Sequence, residues 1–322
     1  MIKLTNESLN FIDNFIGKTN VKDSIYYKKL YTYLNQYYNR DLPKYTIIEK
    51  PVKLNLQENR FRSQTITNNI YRLKQYHLIS TIINNCKVII HIYHNDDLTN
   101  FVRIILTCIQ FMYDLSGSKK NLTITYYLTN CKKIIRNKIL TINEVNTGSS
   151  SIMDITIWRK EEVYKTTIHE LIHFMNLDYK GDTPDIIKHY QNRYNCPSDL
   201  MNTFEAYTDF WAILINIYLT TKLLNNPYKF FINCINLEKT FIEYQSHKIL
   251  RLNRDYNRHT SVLAYYVIKA ELFQNLPKTL KAMDVKIGIN DKYFDYLLSL
   301  KKIEPKKKYD NRTLRMSIIE VY

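Results

Sequence analysis

Apolar residues recur along this chain with two periods, and the switches between them mark its parts. Over residues 1–60, Phe11-Ile12-x-x-Phe15-Ile16 and Tyr26-Tyr27-x-x-Leu30-Tyr31-x-x-Leu34 repeat at three-to-four spacing, which predicts an N-terminal helical segment. Residues 61–180 change character. Tyr76 to Ile83 alternates, Asn84-Asn85 marks a turn, and Lys87-Val-Ile-Ile-His-Ile-Tyr-His94 is a β-rich run. Phe101, Ile104, Ile105, Cys108, Ile109 and Met112 return to helical spacing, and Asn121 to Leu128 is again a strand. Asn146-Thr-Gly-Ser-Ser-Ser151 is a run of small residues at a sheet edge, and Ile155 to Trp158 is a short strand. A helix follows from Lys160 to about Met175.

From residue 181 to 322 the pattern is helical almost throughout. Pro197-Ser198-Asp199 predicts a helix start with Ser198 as N-cap, running to about Leu223. Glu205, Thr208, Asp209 and Ala212 form a polar stripe on that helix among Phe204, Trp211, Leu214, Ile215 and Tyr218. The expected fold is therefore α+β. A small mixed sheet with helices occupies residues 61–180, with a β-α-β crossover making two strands parallel, and a mainly helical part follows.

The helix over 160–175 carries His169-Glu170-Leu171-Ile172-His173. Two histidines four apart project from one helical face, so both imidazoles can reach one Zn²⁺ at roughly 2.0–2.1 Å. Glu170 is rotated off that axis and can hold a metal-bound water as general base. The flanks are uncharged from Thr166 to Ile168 and from Phe174 to Met175, as expected of a buried helix. A carboxylate stripe on an otherwise apolar helix needs a partner. Glu205 is the candidate third ligand, and Asp209, one turn on, can stand behind a ligand histidine.

His169-Glu170-x-x-His173 with Glu205-x-x-x-Asp209 resembles the gluzincin clan of zinc metallopeptidases, of which thermolysin is the type. The resemblance covers about 45 residues by motif. It implies a zincin-like fold, with an upper subdomain over 61–180 carrying the motif helix and a helical lower subdomain over 181–322 ending in a basic tail. It implies one Zn²⁺ per chain on His169, His173 and Glu205, Glu170 as general base, Asp209 orienting a ligand histidine, and a peptide or protein substrate. Asn176 and Tyr179 stand where the metzincins have Gly and a third His, so that related group is not matched. Gluzincins recruit a His or Tyr from the lower subdomain to stabilise the oxyanion. His259 and Tyr266, seven apart and near Arg254 and Arg258, are the candidates here. His77, His91, His94, His189 and His247 have no such spacing to a carboxylate motif.

Composition adjusts this picture only in part. A chain of 322 residues can bury a sizeable core, and five scattered cysteines with no C-x-x-C argue for reduced thiols and against a structural zinc site. No signal peptide is recognisable, and the apolar run Phe210–Leu219, interrupted by Asn216, is too short to span a bilayer. The expected location is a host cytoplasm or a virion. The bias towards Asn, Ile, Lys and Tyr resembles that of mimivirus-like large DNA viruses with AT-rich genomes. The net charge of +16 is spread along the chain, densest at Lys301-Lys302 and Lys306-Lys307-Lys308. That distribution argues against specific nucleic-acid binding and for acidic peptides or partners. Two alternatives stay open: a catalytically silent zincin-fold structural or binding protein, and a basic nucleic-acid-associated protein.

Overall fold

The computed structural model describes residues 2–15, 21–136, 139–179, 181–252, 257–289, 292–306 and 311–322. Ile16, Arg254, Lys307 and Lys308, named above, lie outside the described residues. The chain is mixed α/β. Helices α1 (Asn6–Phe15) and α2 (Ile25–Asn35) come first, then β1 (Tyr45–Lys50), α3 (Gln64–Ile70), β2 (Gln75–Ile83) and β3 (Cys86–His94). Next are α4 (Thr99–Ser116), β4 (Leu122–Tyr127), α5 (Ile142–Val145), β5 (Gly148–Ser150), β6 (Asp154–Ile157) and α6 (Val163–Phe174). The helical part comprises α7 (Pro184–Tyr194), α8 (Thr203–Leu223), α9 (Tyr228–Ile249), a π-helix (Leu263–Ile268), α10 (Lys269–Gln274), α11 (Leu276–Ala282) and α12 (Lys292–Ser299).

Six strands form one mixed sheet in the order β1-β2-β3-β4-β6-β5. Strand β3 pairs parallel to β4 through the α4 crossover, β4 pairs parallel to β6, and the remaining neighbours are antiparallel. Strand β5 is therefore an edge of the sheet among the described residues. Strand β1 departs from the helical expectation for residues 1–60. All six of its residues are exposed, so no apolar alternation marks it, while Thr46-Ile47-Ile48 suit a strand and pair with β2.

The motif helix α6 forms against local preference. Thr166, Thr167 and Ile168 are β-branched and stiff at χ1. Packing overrides them, since eleven of its twelve residues are buried. Thr167 donates to the Val163 carbonyl at 2.8 Å and lies 3.0 Å from the Tyr126 hydroxyl on β4. Asn176, at φ 55°, terminates the helix in the left-handed region that Asn tolerates.

Helix α8 starts at Thr203 rather than at Ser198. The cap comes from across the loop. Asp182 accepts from the Thr203 amide at 2.8 Å and from its hydroxyl at 2.5 Å. Ser198 instead donates to the Asn257 carbonyl at 3.0 Å. The main core runs from Ile2 to Val321 and draws on all three stretches distinguished in the sequence. Among the described residues no helix is long and apolar enough to cross a membrane.

Candidate metal centre

Helices α6 and α8 bring three donors together. His169 Nε2 lies 3.1 Å from His173 Nε2 and 3.1 Å from Glu205 Oε2, and His173 Nε2 lies 3.3 Å from the same oxygen. Donors about 2.0–2.1 Å from a tetrahedral centre stand roughly 3.3 Å apart, so this triangle is one face of such a tetrahedron. Among the described residues it is the one group of His, Cys, Asp and Glu close enough to share an ion. Three lone-pair atoms at this separation are satisfied together by a cation. The set fits a divalent metal.

The outward nitrogens are held differently. His173 Nδ1 is 2.6 Å from Asp178 Oδ2, which fixes its Nδ1–H tautomer and turns Nε2 inward. His169 Nδ1 lies 3.3 Å from Asp209 Oδ1. The direction is poor for a hydrogen bond and Nδ1 has no other partner, so the contact is chiefly electrostatic. Asp209 is more heavily engaged than expected. Lys165 Nζ lies 2.7 Å from its Oδ1 and Lys269 Nζ 2.5 Å from its Oδ2, all three side chains being buried.

Burial disfavours the charged imidazole of His169, but Asp209 and Glu205 outweigh it and the pKa rises above the ordinary value. The same opposition in His173, won by the Glu205 charge and the Asp178 bond, raises its pKa much further. Glu205 is pushed up by burial and pulled down more strongly by both histidines, ending well below the carboxylate range. Asp209 ends far below its ordinary value, because Lys165 and Lys269 outweigh burial.

Glu170 stands apart from the donor triangle in the same cleft of about 600 Å³. Burial raises its pKa, and the histidine charges and a hydrogen bond with Ser150 on β5 oppose this. Strand β5 approaches so closely that a Cβ at Gly148 would sit 3.0 Å from Glu170 Oε1 and 3.1 Å from the Thr156 carbonyl oxygen. The run of small residues at 146–151 is thus a wall of the cleft, which Phe61, Phe204 and Tyr179 also line.

The oxyanion candidates from sequence are not at the cleft. His259 is exposed in a bend before the π-helix, and Tyr266 is buried with its hydroxyl donating to the Leu314 carbonyl. Spacing by seven assumed an α-helix from 259 to 266, but regular helix begins only at Val262 and continues as a π-helix. Its neighbour Tyr265 faces the cleft instead, with its ring centroid 6.1 Å from that of His169. Burial first, then the Glu205 and Glu170 charges, holds its hydroxyl protonated. Tyr265, Asp178 and the two lysines on Asp209 escaped sequence reasoning. Asp178 follows His173 by five beyond the helix end, a spacing with no regular-structure signal.

Among known proteins, the chain is 26% identical over 171 residues to an uncharacterized protein of Acanthamoeba polyphaga mimivirus, covering 46% of this chain and 43% of that one. The match spans less than half of the relative's length, and the relative is viral, in keeping with the compositional bias. No family model matches. No solved structure matches.

Proposed function

We propose that this chain is a zinc-dependent metallopeptidase of zincin-like architecture, cleaving peptide bonds in an extended chain laid along β5. The observation that carries the reading is the triangle of His169, His173 and Glu205 with Glu170 beside it and outside it. A zinc kept for stability alone is normally closed by four protein ligands and has no need of a neighbouring buried base. When bound, zinc supplies Lewis acidity, polarising the scissile carbonyl and bringing the pKa of a coordinated water down to about 7. Glu170 accepts the proton of the attacking water and returns it to the leaving amine, and its raised pKa suits both transfers. Tyr265, kept protonated, donates to the developing oxyanion. The edge strand β5 offers backbone groups to the substrate, and Gly148 lets it come close to Glu170.

The test is metal analysis of the purified protein beside His169→Ala and Glu170→Gln, with cleavage of a broad peptide library. Wild type is expected to hold about one zinc per chain, His169→Ala to lose it, and Glu170→Gln to keep it. Turnover in Glu170→Gln should fall by at least about 10²–10⁴-fold. Stoichiometric zinc in wild type, with no cleavage beyond that of Glu170→Gln, would favour the silent binding protein instead.

A further inference from the structure

Three lysines line the cleft, and they are not alike. Lys133 is buried 2.8 Å from Glu162, and Lys165 is buried on Asp209. Lys120 is partly exposed and forms no ion pair among the described residues. Its ammonium donates to the Phe174 carbonyl at 2.8 Å and lies 5.4 Å from the centroid of the Phe174 ring. That uses one of three donors and leaves the ammonium without a carboxylate partner among the described residues. The nearby carboxylates are committed elsewhere: Asp178 and Glu205 to the histidines, and Glu170 to its place against β5.

The position is informative. Phe174 follows His173, so Lys120 stands where α6 ends. Lys120 also leads into β4, whose Thr123 pairs with Asp154 just past the β5–β6 turn. Lys120 and the β5–β6 turn thus lie at the same end of the sheet, and β5, the donor triangle and Lys120 line one cleft. The rim there is Ile152, 86% exposed, and much of the remaining wall is apolar or aromatic, including Phe61, Phe174, Phe204 and Tyr179.

We infer that Lys120 is a specificity-determining residue that binds a substrate carboxylate at the end of the cleft beside the β5–β6 turn. This rests on the peptide-hydrolysis reading. The carboxylate belongs to an Asp or Glu side chain or to the chain terminus, and both offer the same acceptor geometry to an ammonium.

The experiment uses the full chain loaded with zinc, and three otherwise identical peptides. One carries Glu with an amidated C-terminus, one carries Gln with an amidated C-terminus, and one carries Gln with a free C-terminus. Both turnover by wild type and calorimetric binding to Glu170→Gln are measured. One of the two carboxylate peptides should exceed the amidated Gln peptide by roughly tenfold or more in kcat/KM, mainly through KM, and by a similar factor in affinity. Which of the two exceeds it identifies the source. Lys120→Gln keeps an N–H for the Phe174 carbonyl and should bring the ratio near unity, while Lys120→Glu should bring it below unity. Equal handling of all three peptides by wild type, or a ratio unmoved in both Lys120 variants, overturns the inference. Absence of cleavage by zinc-loaded wild type counts against the peptidase reading alone. In that case Lys120-dependent carboxylate binding in the calorimetric arm still supports the site, and its absence refutes it.

Discussion

At the scale of single residues, the site is a set of groups whose ordinary protonation has been displaced. In the metal-free protein His169 and His173 have pKa values above 6.5, the value of an unperturbed histidine. Each therefore contributes stability that is complete below about 6.5 and is lost as pH rises through its folded pKa. Glu205 behaves oppositely, contributing above the usual carboxylate range and losing that contribution as pH falls through its depressed value. Zinc requires both imidazoles neutral, so it competes with protons in the window where the histidines titrate. The rise in Tm on adding zinc should consequently be larger at pH 8 than at pH 6, and an equal or smaller rise at pH 8 in thermal melts would count against the ligand assignment. Asp178 and Asp209 stand behind the two histidines proposed as ligands but differ in what else they hold. Asp178→Ala should weaken zinc affinity about 10–100-fold. Asp209→Ala should do the same and also destabilise the metal-free protein by about 3–5 kcal/mol, because Lys165 and Lys269 would be left buried without a counter-charge. Calorimetric zinc titration and urea unfolding of the two variants separate these effects.

At the scale of elements, what could be read from the sequence is what depends on local periodicity. The strands around Tyr76–Ile83, Lys87–His94 and Asn121–Leu128 and the α4 crossover appear because their apolar positions repeat at the element's own period, and the motif helix because its uncharged flanks mark it as buried nearly all round. The donors were legible for the same reason, since His169 and His173 share a face and Glu205 lies on the next long buried helix. Strand β1 was not legible, because it is exposed throughout. Nor was the start of α8, whose cap lies 21 residues upstream in Asp182. The π-helix matters most, because it breaks the 3.6-residue rule that pointed to Tyr266 and turns Tyr265 to the cleft. Tyr265→Phe should therefore lower kcat while leaving KM largely unchanged, whereas Tyr266→Phe should cost about 1 kcal/mol of stability, the worth of its bond to Leu314, and keep turnover. The reverse pattern in steady-state kinetics would return the role to Tyr266. Gly148→Ala tests the wall. Its new Cβ must displace Glu170 or the Thr156 backbone, so turnover should fall while stability drops by about 1–3 kcal/mol.

At the scale of the whole molecule, the last described segment ties the site to the rest of the chain. Residues 314–321 are buried, and Val321 bridges to Leu4 while Thr313 bridges to Ile134. Two buried glutamates hold this segment by its backbone. Glu238 accepts from the Ile318 and Ile319 amides, each at 2.9 Å, and Glu162 accepts from the Met316 amide at 2.8 Å and the Ser317 amide at 2.7 Å. Glu162 is also the N-cap residue of α6, at φ 59°, and its other oxygen lies 2.8 Å from Lys133 Nζ. One side chain thus joins the start of α6, a buried lysine and this last described segment, whose Met316 lines the cleft. Burial alone would raise the pKa of Glu162, but Lys133, Lys165 and Arg315 bring it down to about 2. Its charge therefore stabilises the fold above the unfolded value of 4.5 and ceases to do so as pH falls towards 2. Glu162→Gln keeps the shape, removes the charge and leaves Lys133 buried without its partner. We expect a loss of about 3–5 kcal/mol in urea unfolding at pH 7, the usual cost of breaking a buried pair from one side. The loss should shrink as pH falls from 4.5 towards 2, because the unfolded wild-type chain then binds a proton at Glu162 that the folded state resists, and the charge stops contributing to stability. A variant within about 0.5 kcal/mol of wild type at pH 7, the range of an ordinary surface change, would mean that Glu162 does not hold this last described segment to α6.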